Sequence, residues 1–364
     1  MTAQSNTIRE AVEKGKRSDL YQNYLSIRDR VLEMIQEDHG ENTSASDYWR
    51  EELAGFEYIF DASPLILERL REHCYHLTGI RPFDYRKHHE SQKELYEKKL
   101  QLLREQDEDN LWIPESKLLG GFGFEIEGGL ANLDTLKFYE CLIALNKAGI
   151  LAPLRSAQGQ KKTIIEIGAG WGGFAYQLKT LCPQITYIIV DLPPTLLFSG
   201  IYLKTLFPEA RFLIYGDKPK DILLKDYQSY DFILLPHYYW EDIQLNEPEL
   251  AVNMASFQEM TSAQVENYAC KMAQLKVKYV YSMNRERSPY NNELSSVSAI
   301  LKEYYSVQEL KILDSTYVDL PVSLVKGKGA HLVESMKVLA RRWLQPNQFK
   351  YRHLIGKIKT HQLR

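Results

Sequence analysis

Apolar residues follow two different rhythms along this chain, and the change falls near residue 162. Before it, Tyr21, Tyr24, Leu25, Ile27, Val31 and Ile35 recur at helical spacing and a charged run occupies 87–110. That pattern predicts several helices outside any sheet. After it, short apolar runs alternate with helical stretches. TIIEI at 163–167, TYIIV at 186–190, LAVNM at 250–254 and KYVYSM at 278–283 predict strands, with helices over 172–182, 194–206, 257–275 and 291–304. Such alternation is the mark of an α/β, mostly parallel sheet covered on both faces. RFLIY at 211–215 and DFILL at 231–235 compete for the third place in a sheet of seven strands. Segments at 308–313 and 321–325 are close enough in sequence to complete that sheet as an antiparallel pair.

The join between the two rhythms, LLGGFGFEIEGGL at 118–130, reads as a flexible loop. A helix follows, opened by Asn132 or Asp134 and carried by Leu136, Tyr139, Leu142 and Leu145 toward Gly149. Four parts result: a helical region 1–117, a Gly/aromatic loop with its helix 118–160, an α/β domain 161–328, and a basic helical tail 329–364. In that tail Leu332, Met336, Leu339 and Trp343 recur at helical spacing.

Composition narrows the class. Of 364 residues 44% are hydrophobic and 26% charged, an ordinary globular balance. The net charge of −3 conceals a division: residues 326–364 carry ten basic side chains and one acid, Glu334, hence +9 against −12 for the rest. An acidic body argues against a nucleic-acid substrate. The tail is expected to pack as a helix on that body or against a partner in a homodimer. No apolar run approaches the ~18 residues of a membrane span and no apolar leader opens the sequence, so a cytoplasmic protein without an integral membrane segment is expected. Cys74, Cys141, Cys182 and Cys270 show no paired spacing, which predicts reduced thiols rather than disulfides or zinc.

The sharpest motif is Glu166-Ile-Gly168-Ala-Gly170-Trp-Gly172-Gly173, which leaves a strand and enters a helix. Its spacing fits two fingerprints. Gly168, Gly170 and Gly173 make the GxGxxG of dinucleotide sites, whereas Glu166, Gly168, Gly170 and Gly172 make the ExGxGxG of class I S-adenosylmethionine-dependent methyltransferases. An acid two residues before the first glycine would repel a pyrophosphate but suits an ammonium and sulfonium ligand, which favours the second. Asp191 ends the next strand, where a carboxylate takes ribose hydroxyls in either case, and Leu192 beside it joins the candidate cofactor contacts.

With EIGAGWGGFA at 166–175, VDLPPTLLFSGIYL at 190–203 and NMASFQEM at 253–260, the chain resembles the sugar O-methyltransferase family within the class I methyltransferases, over about 118–325. The resemblance implies a Rossmann-like sheet with a late antiparallel strand, S-adenosylmethionine (SAM) as cofactor, and transfer of its methyl group to a hydroxyl of a sugar or glycoside. A non-sugar acceptor, an NAD(P)-dependent oxidoreductase and a methyltransferase-like subunit without turnover are the alternatives.

Hydroxyl methylation needs a base, and His237, after the DFILL strand, and Glu259 are the candidates. Ser256 and Glu259 also have the spacing of a helix capping box, so the two roles compete. Asn253, a polar amide ending an apolar strand, completes the catalytic set, and Ser256 the cofactor set. Asp217 would reach the adenine if RFLIY were the third strand. Residues 122–125 are a candidate lid, and Trp171, Tyr238, Tyr239 and Trp240 are candidates for stacking on a sugar. No carboxylate cluster has clear ligand spacing, so no metal is expected.

Overall fold

A sheet of eight strands organises the molecule, a computed structural model that describes residues 2–37, 55, 57–86, 89, 92–156, 161–286, 293–313 and 350–359. Helices α1 (Thr2–Gly15), α2 (Asp19–Gln36) and α3 (Lys93–Arg104) come first, followed by a small hairpin of β1 (Phe124–Ile126) and β2 (Gly129–Ala131), then α4 (Leu133–Lys147). The α/β alternation then runs β3 (Lys162–Ile167), α5 (Gly173–Leu181), β4 (Ile185–Asp191), α6 (Pro193–Leu206), β5 (Phe212–Ile214), β6 (Phe232–Pro236), β7 (Leu250–Met254), α7 (Ser262–Gln274), β8 (Tyr279–Asn284), α8 (Val297–Tyr304), β9 (Tyr305–Leu310) and β10 (Arg352–Ile358).

The strand order is β5-β6-β4-β3-β7-β8-β10-β9. All neighbours are parallel except β10, which runs antiparallel to both β8 and β9. This is the Rossmann-like sheet with a late antiparallel strand. Strands β4, β6 and β7 are buried along their whole length, as expected where helices cover both faces. The sheet has one strand more than expected because both competing segments find a place. DFILL, apolar after Asp231, takes the interior position beside β4, and RFLIY contributes the short edge strand.

The other edge also departs from expectation. β9 pairs with Arg352–Ile358, from the segment read as a basic helical tail, and not with 321–325, which lies outside the described residues along with Leu332, Met336, Leu339 and Trp343. The strand accommodates its charges by directing them outward. Arg352 pairs with Glu286 and Glu309, while Leu354, Ile355 and His353 are buried. His353 bonds through Nδ1 to the Tyr281 hydroxyl at 2.8 Å and through Nε2 to Glu140 at 3.1 Å, fastening β10 to the sheet and to α4.

The glycine-rich join at 118–130 is a hairpin and not a flexible loop. Phe124 and Ile126 are buried, and a Cβ on Gly123 would stand 2.6 Å from the Ala131 carbonyl oxygen. Glycine is there because two backbones approach closely. Helix α4 starts where the sequence places it, with Asn132 and Thr135 forming the capping box. The helix expected over 257–275 is split: a short 3-10 turn, Phe257–Glu259, precedes α7, whose cap is the Thr261–Gln264 box.

The N-terminal helices belong to the same core. α2 buries Tyr24, Ile27, Val31 and Met34 against α6, where Gly200 allows the approach: a Cβ there would lie 3.0 Å from Ile27 and from Leu234. Among the described residues, no helix is long and apolar enough to cross a membrane.

Candidate functional site

The chain order of strands reverses between β3 and β7: β4 and β6 lie on one side of β3, β7 and β8 on the other. Loops leaving the carboxyl ends on either side of such a switch point diverge and leave a crevice. Here it is a cavity of about 520 Å³. Its walls come from the turn after β3 (Gly168, Ala169, Gly170, Trp171), from Asp191, Leu192 and Thr195 after β4, from His237, Tyr238, Trp240 and Glu241 after β6, and from Met254, Ala255, Ser256, Glu259 and Met260 after β7.

The turn after β3 needs its glycines. Gly168, Gly170 and Gly172 have φ of +73°, +58° and +85°, where side chains are strained. Gly168 is also sterically required: a Cβ would fall 2.3 Å from Ser256 Oγ. The turn after β3 and the loop after β7 therefore touch across the switch point. Ala255 in that second loop holds φ +57°, unusual for a residue with a Cβ, with its N–H donated to the Met283 carbonyl at 2.9 Å.

Two carboxyls define the electrostatics. Asp191 accepts from the Gly170 N–H at 2.8 Å and the Leu192 N–H at 2.7 Å, which fixes the turn to β4. Burial raises it to about 6, the hydrogen bonds from Thr195 and the backbone limiting the rise. Glu166, on β3, is buried more deeply and pushed up to about 8 by loss of solvation, although the Tyr187 hydroxyl donates to it at 2.8 Å. Near neutral pH Asp191 is mostly a carboxylate and Glu166 mostly a carboxylic acid.

Of the residues singled out from sequence, Glu166, Gly168, Gly170, Asp191, Leu192, His237, Ser256 and Glu259 line this one cavity. Gly172 does not; it is the N-cap of α5, close against Ser199. Asn253 stands behind the wall. Its Nδ2 donates to the Ile167 carbonyl at 2.8 Å, and its Oδ1 accepts from the Phe257 N–H at 3.0 Å and from Asn284 Nδ2 at 2.8 Å. The partners expected from a ligand are supplied by protein, so Asn253 braces the two loops and leaves the catalytic set. Asp217 is also a correction. The third core strand is β6, so Asp217 follows the edge strand β5, where it accepts from Arg30 Nε at 3.1 Å and from the Ile214 N–H at 2.8 Å. The Ser256–Glu259 capping bonds are not made, since Thr261 and Gln264 cap α7 instead. Residues 122–125 lie in and before the hairpin and do not line the cavity, and Tyr239 instead donates its hydroxyl to the Lys220 carbonyl at 3.1 Å.

Other wall residues carry no local signal in sequence. Residues 75–79 and Arg81 come from the helical region, Lys137 and Phe138 from α4, Gln264, Asn267 and Tyr268 from α7, and Tyr351 from the residue before β10. Tyr351 is steadied by Gln258, whose Nε2 donates to its hydroxyl at 3.0 Å, and by the Arg285 guanidinium over its ring at 4.6 Å. Behind the turn after β3, buried Arg71 pairs with Glu115 at 3.0 Å and Asp134 at 2.8 Å while its guanidinium stacks on Trp171 at 3.8 Å. Among the described residues no three His, Cys, Asp or Glu side chains are grouped as a metal site.

No family model and no curated protein matches the sequence. Solved structures similar to it include phosphoethanolamine N-methyltransferase 2 of Haemonchus contortus in complex with S-adenosyl-L-methionine, at 11% identity and a TM-score of 0.35 over 64% of this chain and 61% of that one. Geranyl diphosphate C-methyltransferase of Streptomyces coelicolor A3(2) is another, at 11% identity and a TM-score of 0.39 over 72% of this chain and 98% of that one. This chain thus spans less than two thirds of the first protein's length. The likeness is one of fold.

Proposed function

We propose that the protein is a SAM-dependent O-methyltransferase acting on a hydroxyl of a sugar or glycoside. The observation that carries this reading is the position of Glu166: a buried carboxyl in the cavity wall, two residues before the glycine turn at the switch point. A carboxyl there suits a cation, which draws it into its charged form, and opposes a pyrophosphate, beside which it could not ionise. The sheet order adds support, because a dinucleotide sheet continues parallel where this one inserts antiparallel β10. The residues present fit the cofactor. A Cβ on Gly170 would meet no atom within 4 Å, so that side of the turn is open to a ligand, and Asp191, held by Thr195 and by backbone N–H groups, lines the cavity as a carboxylate for ribose hydroxyls.

When bound, SAM supplies a methyl group already activated for in-line displacement. What remains for the chain is to orient the acceptor and take its proton. His237 and Glu259 both stand in the wall for that task, and the rings of Tyr75, Tyr238, Trp240, Tyr268 and Tyr351 offer flat amphipathic surface of the kind that stacks on sugars. Titration with S-adenosylhomocysteine (SAH) and with NADH tests the cofactor. Saturable NADH binding without SAH binding would reject the proposal in favour of an oxidoreductase. Labelled SAM with a panel of sugars and glycosides then tests the acceptor, and transfer only to non-sugar hydroxyls, or to nothing, would reject that part.

A further inference from the structure

The charged residues of the cavity wall are sorted by origin. Its acids come from the sheet and the loops that leave it: Glu166 on β3, Asp191 at the end of β4, Glu241 after β6 and Glu259 after β7. Its lysine and arginine come from outside the sheet, Arg81 from the helical region and Lys137 from α4. Lys137 already has a counter-charge, since its Nζ donates to Asp134 Oδ1 at 2.9 Å. Arg81 has none. Among the described residues its guanidinium meets no carboxylate, carbonyl or ring, whereas Arg69, from the same region, pairs with Glu72 at 2.7 Å.

Local structure holds this arginine in place. The short helix Tyr75–Thr78 ends at Gly79, whose φ of +69° turns the chain and whose N–H is donated to the Tyr75 carbonyl at 2.6 Å. Ile80 is then buried, with its N–H given to Thr78 Oγ1 at 3.1 Å, and Pro82 restricts Arg81 to the extended backbone that it shows, φ −107° and ψ 135°. The Arg81 carbonyl accepts from the Asp84 N–H at 3.1 Å. The backbone is thus fixed on both sides of a residue that is itself exposed and unpaired. In the same stretch of wall the rings of Tyr75 and His76 lie 3.8 Å apart, centre to centre, and offer flat surface to a sugar.

A guanidinium presents parallel N–H groups that match a carboxylate or a phosphate. The acids of the sheet side suit a cationic cofactor and repel an anion, so an anionic group that enters the cavity is favoured at Arg81. We propose that the acceptor carries such a group, that Arg81 binds it, and that the hydroxyl to be methylated is thereby left to the side where His237 and Glu259 stand. This rests on the sugar O-methyltransferase reading and narrows the acceptor to an acidic sugar, a uronate or a sugar phosphate.

Labelled SAM and matched acceptors test it: for glucose, galactose and mannose, the methyl glycoside, its 6-uronate and its 6-phosphate. The natural protein is expected to methylate an acidic member with kcat/KM about ten- to a hundredfold above the neutral glycoside of the same sugar, the range expected of one charge-assisted contact. Whether uronate or phosphate is preferred tells which anion the site takes. Arg81→Gln should raise KM for the acidic member by that factor, with kcat within about threefold, and move KM for the neutral glycoside by less than about threefold. Arg81→Lys should recover part of the preference. SAH affinity should stay within about threefold in both variants. Neutral glycosides methylated as well as acidic ones, equal loss on both in Arg81→Gln, a preference that survives Arg81→Gln, or loss of SAH affinity in that variant would each overturn the assignment. A natural protein that fails to bind SAH, or that transfers to no member of the panel, instead rejects the proposed function, and the inference with it.

Discussion

Replacing Glu166 by Gln should make the protein more stable at alkaline pH while weakening its binding of SAH. In the folded state burial raises the Glu166 carboxyl from 4.5 to about 8. A carboxyl raised in this way binds its proton more tightly folded than unfolded. Its contribution to stability is therefore complete below about pH 4.5 and is lost as pH rises through about 8. The full loss corresponds to about 5 kcal/mol at 1.36 kcal/mol per tenfold change, an upper figure for a site that relaxes when it ionises. Gln has nearly the same shape, carries no charge, and still accepts from the Tyr187 hydroxyl that now lies 2.8 Å from Glu166 Oε2. Urea denaturation of both proteins without ligand, at pH 5.5 and 8.5, gives the comparison. The Gln variant should gain relative to the natural protein by about 2–3 kcal/mol between the two conditions, since part of the full loss has already occurred by pH 5.5, and SAH binding at pH 8.5 should fall by at least tenfold. In the natural protein, SAH binding near pH 7 should release a proton, seen as a dependence of the binding heat on the buffer's ionisation enthalpy. A stability difference that does not change with pH, or a Gln variant less stable at pH 8.5, would refute the account of Glu166 as a buried acid awaiting a cation.

Gly168→Ala should destabilise the fold by about 2–4 kcal/mol, from a left-handed φ and the overlap with Ser256. The same change in a Ser256→Gly background should cost only the backbone part, about 1–2 kcal/mol, and thermal unfolding of the four proteins in the cycle separates the two. Arg71→Ala leaves Glu115 and Asp134 buried without their shared cation, so a loss of about 3–5 kcal/mol in urea is expected, with a weaker Trp171 environment visible in the near-UV dichroism. His237→Ala and Glu259→Gln should each leave SAH affinity within about threefold, and whichever is the base should lower kcat by about 10²–10⁴ once an acceptor is found. If neither does, the proton is taken by another group.

Much of the site could be read before folding because its parts are local. The motif at 166–173 carries its own turn conformation, and a carboxylate closing the next strand lands beside it wherever the strands are parallel neighbours, as Asp191 does. Local signals failed where partners are distant. Asn253 looked like a ligand contact because its real partners, the Ile167 carbonyl and Asn284, are 86 and 31 residues away in sequence. Asp217 was placed by assuming a strand order that spacing does not contain. Lys137 and Tyr351 reach the cavity from a helix before the sheet and from the entry to its last strand, with nothing nearby in sequence to mark them.

What the chain determined by itself was periodicity and conformational need: which runs are apolar enough to be buried on both faces, where glycines permit positive φ, and where Asn132 can cap a helix. These depend on neighbours within a few residues. Tertiary structure decided which buried runs are neighbours. Two apolar segments of equal length competed for one position until the fold gave DFILL the interior and left RFLIY at the edge. The basic segment around residue 352 became a strand because the acids that neutralise Arg352, Glu286 and Glu309, lie on other elements. Charge composition is local, whereas the compensation of charge is set by what the fold brings alongside.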